Sequence, residues 1–301
     1  MTPVAPPATS PSRERTGYVL MAASAFSFAL MVALYRLLLP GVPSQAAVFW
    51  RAVGMSVTFA VAALLQGVPL IGRSPWLLFW RGLIGWVSVS CYFASVEHLP
   101  LGDAILFQYS NPLFVAMLAP WMMSERTSAR HWMLVLLAFL GLALVVGAHG
   151  ALNTAIAIAL FGSVGNALAY ISVKQLTRTE HPLTILFWFP AVCVPATLIY
   201  AFGADVPLLP TSGAEVFGLA LVTLAGLLGQ IFLTLGLSRC AAVRGTAITM
   251  SAPVHGLLFG ILFFGEVPGI LNGLGASLVL GALWCLLRSR APLGGNVASR
   301  P

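Results

Sequence analysis

Arg51 is the residue of this chain whose type and position most demand a chemical explanation. It sits in FWRAVGMSVTFAVAALL, residues 49–65, a single charge in an apolar run long enough to cross a bilayer. A charged side chain at the bilayer centre costs about 2.5–3.5 kcal/mol on insertion scales, so retaining one there points to function. A guanidinium at that depth could grip a carboxylate or phosphate through its planar fork of donors. Snorkelling is the competing reading, because an arginine stem reaches several ångströms toward an interface. Arg81 lies close to Trp76 at the start of its own apolar run and reads first as a snorkelling residue. Arg36, near Pro40, reads as an end anchor.

Other polar groups sit in similar runs. Gln108 and Asn111 are three apart, so they can share one helical face and offer both donors and acceptors. Asn166, Tyr170, Gln230 and His255 complete the candidate solute contacts. His255 could donate to a solute or shuttle a proton near neutral pH. Each of these residues could equally bind helix to helix. Trp50, Trp80 and Trp86 could stack on a flat molecule or form an interfacial belt. Pro112 and Pro253 each remove a backbone hydrogen bond inside an apolar run, and so suggest a kink or hinge beside a cavity.

What is missing narrows the chemistry. No Asp or Glu falls inside an apolar run; Glu97, Asp103, Glu125, Glu215 and Glu266 all lie at run ends. The four cysteines have no metal-site spacing, and no HExxH, GxSxG or phosphate-binding loop occurs. No catalytic residue, metal or cofactor is expected. An intramembrane enzyme, or a receptor or scaffold without transport activity, therefore ranks below a carrier of small molecules.

The elements that must hold these groups follow from composition. Hydrophobic residues make up 59 % of the 301 residues and charged ones only 8 %, against roughly 25 % charged in globular domains. Mean hydropathy is +0.95. So little charge cannot form a polar skin, and lipid must be the main solvent. Apolar runs of about 20 residues, the length that crosses the hydrocarbon core, occur near 17–39, 44–66, 76–98, 101–123, 130–149, 152–174, 182–203, 213–237, 241–264 and 268–288. With a cytoplasmic N-terminus, twelve of the 15 basic residues fall on the inner side, including Arg73, Arg126, Lys174 and Arg239. That bias predicts two cytoplasmic termini in a multi-pass plasma (inner) membrane protein. The net charge of +7 thus needs no nucleic acid to explain it.

The stretch SNPLFVAMLAPWMMSE at 110–125 returns as SAPVHGLLFGILFFGE at 251–266, in spans four and nine. Ser, Pro and Glu match at three of sixteen positions. Copies five spans apart insert in opposite directions, which predicts an inverted repeat. With HLPLGDAILFQYSNPLF at 98–114, these residues resemble the EamA branch of the drug/metabolite transporter superfamily. The resemblance covers Gly17 to Arg288. It implies an all-α integral membrane protein, ten transmembrane helices in two inverted five-helix repeats (17–149 and 152–288) around a central cavity. Tails at 1–16 and 289–301 flank them, the first rich in Pro, Ser and Thr and expected to resist packing. The implied activity is secondary transport or export of a small polar organic metabolite, amino-acid-like or otherwise anionic or zwitterionic, by alternating access. The partners are that solute and the lipid bilayer, and the unit a monomer or a homodimer. In the last span Gly269, Gly273, Ser277 and Gly281 recur every four residues, a stripe suited to internal packing or to a dimer contact.

Overall fold

A computed structural model describes residues 11–122, 129–148, 153–240 and 242–288. Among them the chain forms twelve α-helices and no strand: α1 (Pro11–Leu38), α2 (Ser44–Leu65), α3 (Pro75–His98), α4 (Leu101–Gln108), α5 (Asn111–Met122), α6 (Ala129–Ala148), α7 (Thr154–Leu176), α8 (Pro182–Ala204), α9 (Gly213–Leu237), α10 (Ala242–Thr249), α11 (Ala252–Phe264) and α12 (Ile270–Arg288). Six of these, α1, α2, α3, α7, α8 and α9, are long and apolar enough to cross a membrane, at 22 to 27 residues each. Shorter apolar helical stretches occur at Trp132–Gly141, Ala252–Phe264 and Ile270–Ala282. Helix is the expected solution, because in lipid a backbone N–H or C=O must find its partner within the protein. Large apolar side chains such as Leu64, Leu65, Phe202 and Leu224 remain exposed on the outside, where acyl chains would meet them.

Local chemistry sets the helix ends. Pro75 and Pro182 open their helices, where the missing N–H costs nothing. Asn153 Oδ1 accepts from the Ile156 N–H at 2.9 Å and Ser212 Oγ from the Glu215 N–H at 3.2 Å, each satisfying a first-turn donor. Helix α1 starts at Pro11, so residues 11–16, assigned above to the tail, are helical. Residues 1–10 and 289–301 lie outside the described ones.

Spans four and nine differ from the expected continuous, kinked helices. The first divides into α4 and α5 at Tyr109 and Ser110, the other into α10 and α11 at Met250 and Ser251. The pieces hold 8, 12, 8 and 13 residues, or about 12–20 Å each at 1.5 Å per residue. None crosses alone. At both breaks the ladder tightens to i−3 bonds: Ser110 N–H to the Phe107 carbonyl at 3.2 Å, and Ser251 N–H to that of Ile248 at 3.0 Å. The prolines follow as second residues of α5 and α11. Proline lacks the donor and disfavours α geometry just before it, so each starts a new half-helix more readily than it bends an old one. Both prolines are buried against protein.

Carboxylates fasten the element ends. Glu266 forms an ion pair with Arg36 at 2.5 Å and accepts the Leu101 N–H at 2.8 Å, joining α1, α4 and the α11–α12 turn. Glu97 accepts from the Tyr35 hydroxyl and the Ser44 N–H, both at 2.8 Å. Glu180 takes the N–H groups of Arg73 and Ser74 at 3.0 and 2.7 Å. Glu125 lies outside the described residues.

The small-residue stripe of α12 turns away from its own chain. A Cβ added at Gly273 or Gly281 would meet nothing within 4 Å. Helix α12 packs on α6 through another face, where a Cβ on Gly141 would lie 2.7 Å from the Gly275 carbonyl oxygen. Backbone cannot yield as a side-chain tip can. Gly141→Val should therefore push α6 from α12 and destabilise the protein by about 1–3 kcal/mol. Thermal unfolding in detergent reads this directly, and an unchanged melting temperature would contradict the close approach.

Candidate functional site

Helices α1, α2, α3, α4, α7, α8 and α9 surround a cavity with about 500 Å³ of empty space, its open mouth included. Of the residues named from sequence, Arg51, Gln108, Asn166, Tyr170 and Gln230 line it. They come together from four different helices, Asn166 and Tyr170 both from α7.

The charge in this cavity is distinctive. Arg51 and Arg81 are each only 2 % exposed. Both guanidinium carbons stand over the ring of Phe189, Arg81 at 4.1 Å and Arg51 at 5.5 Å from its centroid. Such contacts partly replace lost hydration, but they do not neutralise charge. No acidic residue lines the cavity among the described residues. Among the described residues, Arg51 Nε and Arg81 Nε and Nη1 have no hydrogen-bond partner. Arg51 Nη1 adds only a weak contact to the Met31 thioether at 3.9 Å.

Two glycines make this arrangement possible. A Cβ on Gly226 of α9 would stand 2.9 Å from Arg51 Cδ and from Met31 Sδ. A Cβ on Gly85 would stand 2.9 Å from Arg81 Nη1 and 2.8 Å from the Phe189 ring. Arg81 therefore runs inward along α3 over the bare turn at Gly85, not back toward the interface. This corrects the snorkelling reading, which counted distance from the helix end and ignored the space four residues on. Phe189 precedes Pro190, one of two prolines inside α8.

Neutral groups fill out the wall. Gln108 Nε2 donates to Ser88 Oγ at 3.1 Å, and Ser88 Oγ donates to the Gly162 carbonyl at 2.8 Å. This chain fixes the end of α4 against α3 and α7 and leaves Gln108 Oε1 without a partner. Ser110 Oγ and Ser163 Oγ, 2.9 Å apart, hold the break itself on α7. Tyr92 OH and Gln230 Nε2 also lack partners. Tyr92 and Tyr109 meet edge to face, with centroids 6.2 Å apart.

Two named residues lie elsewhere. Asn111 is fully buried behind the wall, within range of the Tyr170 hydroxyl but without hydrogen-bond geometry. His255 sits between α1 and α11, its ring edge-on to Phe26 at 5.3 Å, and is not part of the lining. Trp50 and Trp86 are occupied structurally: their indole N–H groups donate to the Leu208 carbonyl at 2.7 Å and to Thr197 Oγ1 at 2.9 Å. Trp80 joins an exposed cluster with Trp76 and Phe79, as an interfacial belt would. Arg81, Ser88, Tyr92 and Phe189 were missed as contacts. The signal was present on α3, where Arg81, Gly85, Ser88 and Tyr92 fall at i, i+4, i+7 and i+11 on one face.

Comparison with known proteins agrees with a carrier. The model of the EamA-like transporter family matches residues 15–147 and again 153–288. The chain belongs to the EamA-like transporter family. It is accordingly a multi-pass membrane transporter and not an enzyme. A pseudopaline exporter of Pseudomonas aeruginosa is 29 % identical over 295 residues, 93 % of this chain and 98 % of its own. A riboflavin transporter of Rhizobium johnstonii is 28 % identical over 298 residues, 94 % of each chain. A solved crystal structure superposes with a TM-score of 0.66 at 16 % identity, covering 89 % of this chain and 95 % of that one. This last likeness shows the shared fold.

If the glycines exist to admit the arginines, filling one should expel its charge. Gly226→Val is expected to weaken binding of anionic solutes about tenfold or more, close to 1.4 kcal/mol. Gly203→Ala, where a Cβ meets nothing within 4 Å, is the control. Titrations of thermal stability with an organic-acid panel measure both, and equal affinities in the two variants would refute the role given to Gly226.

Proposed function

We propose that this protein is a secondary transporter that carries a small anionic or zwitterionic metabolite across the plasma membrane by alternating access. One observation carries the reading: a mid-bundle cavity holds two guanidiniums over one aromatic ring with no carboxylate among its lining residues. A buried cation without a counter-charge is costly, and a bound solute anion supplies one. Arg51 holds that anion by its fork, Gln108, Asn166 and Tyr170 address its neutral polar groups, and Gln230 adds a donor. Asn111 supports Tyr170 from behind. His255 serves the moving interface between α1 and α11. The named relatives include an exporter and a transporter of different solutes, so site chemistry has to define the cargo.

The architecture we favour is ten spans in two inverted halves, with α4–α5 and α10–α11 each forming one broken span. Three features support it. The family model matches once per half. The breaks at 109–110 and 250–251 share the 141-residue offset of the sequence repeat. The packing is reciprocal: α1 lies on α9 as α7 lies on α3, α4 meets α11 as α10 meets α5, and α2–α8 and α6–α12 pair across the centre. Broken helices at an inverted-repeat interface are where such carriers bind cargo. Pro112 and Pro253 would then mark hinges. Both termini would be cytoplasmic, as the basic residues direct.

Arg51→Ala should abolish protection by anionic solutes in a thermal-shift screen while leaving the apo melting curve cooperative. Uptake into proteoliposomes from a metabolite panel, with and without a pH gradient, then gives substrate, direction and coupling. Undiminished anion protection in the variant would remove Arg51 from the site.

A further inference from the structure

Resting on the transport reading above, we infer that the solute carries two negative charges, one answered by Arg51 and the other by Arg81, and that Arg81 is the residue selecting for the second. A single anion would leave one buried guanidinium without a counter-charge, an arrangement that costs several kcal/mol. Both cations lie within 5.5 Å of one ring centroid, so a short solute reaches both. The polar atoms without partners are mostly donors: Arg51 Nε, Arg81 Nε and Nη1, and Gln230 Nε2. The Tyr92 hydroxyl can donate as well, whereas Gln108 Oε1 accepts only. Such a wall suits a ligand dense in acceptor oxygens. It offers an ammonium no carboxylate and sets it against two like charges. A dicarboxylate, or an organic acid bearing a second anionic group, fits this balance; an amino acid with no net charge does not. The side chain that fixes Arg81 in place is Phe189, and the room for it is Gly85.

The test uses the full chain in detergent and matched acids of one carbon skeleton: succinate, butyrate and γ-aminobutyrate, then adipate, hexanoate and ε-aminocaproate. Apparent affinities come from thermal-shift titration. The dicarboxylate of each set should bind at least about tenfold more tightly than the monocarboxylate, and the amino acid most weakly. In Arg81→Gln the ratio of dicarboxylate to monocarboxylate affinity should collapse toward one, while Arg81→Lys retains most of it. Because the readout is a ratio within one protein sample, loss of stability does not imitate the result. Should Arg81→Gln fail to fold, Gly85→Val, which displaces the same guanidinium, must lower the ratio. Amino acids that outbind dicarboxylates in an Arg51-dependent manner would overturn this inference and leave the transport reading standing. Binding by no member of either set, or binding indifferent to Arg51, would overturn both.

Discussion

Lipid offers a buried charge no escape, and this protein sets two buried charges side by side. Arg51 and Arg81 both pack over the Phe189 ring, with no acidic residue among the described residues of the cavity lining. Much of the bundle's interior serves that fact. Gly226 and Gly85 leave out the side chains that would collide with the stem of Arg51 and the guanidinium of Arg81. The amide of Gln108 is oriented by Ser88, and Ser88 by the backbone of α7. Remove the pair of cations and these small residues and oriented dipoles lose their common purpose.

The second organising device is the pair of helix breaks at 109–110 and 250–251. A proline near a helix start is well tolerated, since the first-turn donors have no intrahelical partner in any case. Placing one two residues after Ser110 and another two residues after Ser251 leaves two short rods at each site. At the first break the serine hydroxyls of α5's approach and α7 meet. At the second, Ser251 Oγ has no partner. The two breaks thus share a backbone plan while differing in how firmly each is held. The end ties behave likewise: Glu266 gathers three elements at one end, and Lys174 caps α9 by donating to the Leu237 and Cys240 carbonyls at 2.9 and 2.6 Å.

Much of this was legible in the sequence because lipid makes composition so restrictive. Helices, their order and the repeat offset could be read from apolar run lengths and from Ser110, Pro112 and their counterparts. Arg51, Gln108, Asn166, Tyr170 and Gln230 stood out as polar residues where none is cheap, and they do share one cavity. Arg81 was undervalued because depth along a helix says little about side-chain direction; Gly85, one turn on, decides that. Phe189 could not be singled out among 18 phenylalanines, since its role depends on a tertiary meeting with two other helices. His255 was overvalued for the opposite reason: a rare residue type drew attention, while its neighbours across α1 set its actual surroundings.

The cations and the ring beneath them come from opposite parts of the polypeptide. Arg51 and Arg81 precede residue 149, whereas Phe189, Tyr170 and Gln230 follow residue 152. Neither portion builds this cavity by itself. If an ancestral gene doubled to produce this chain, its descendants became mutually dependent once one kept the arginines and the other the platform. Drift in either portion is thereafter constrained by its sibling, and separate careers are closed to them.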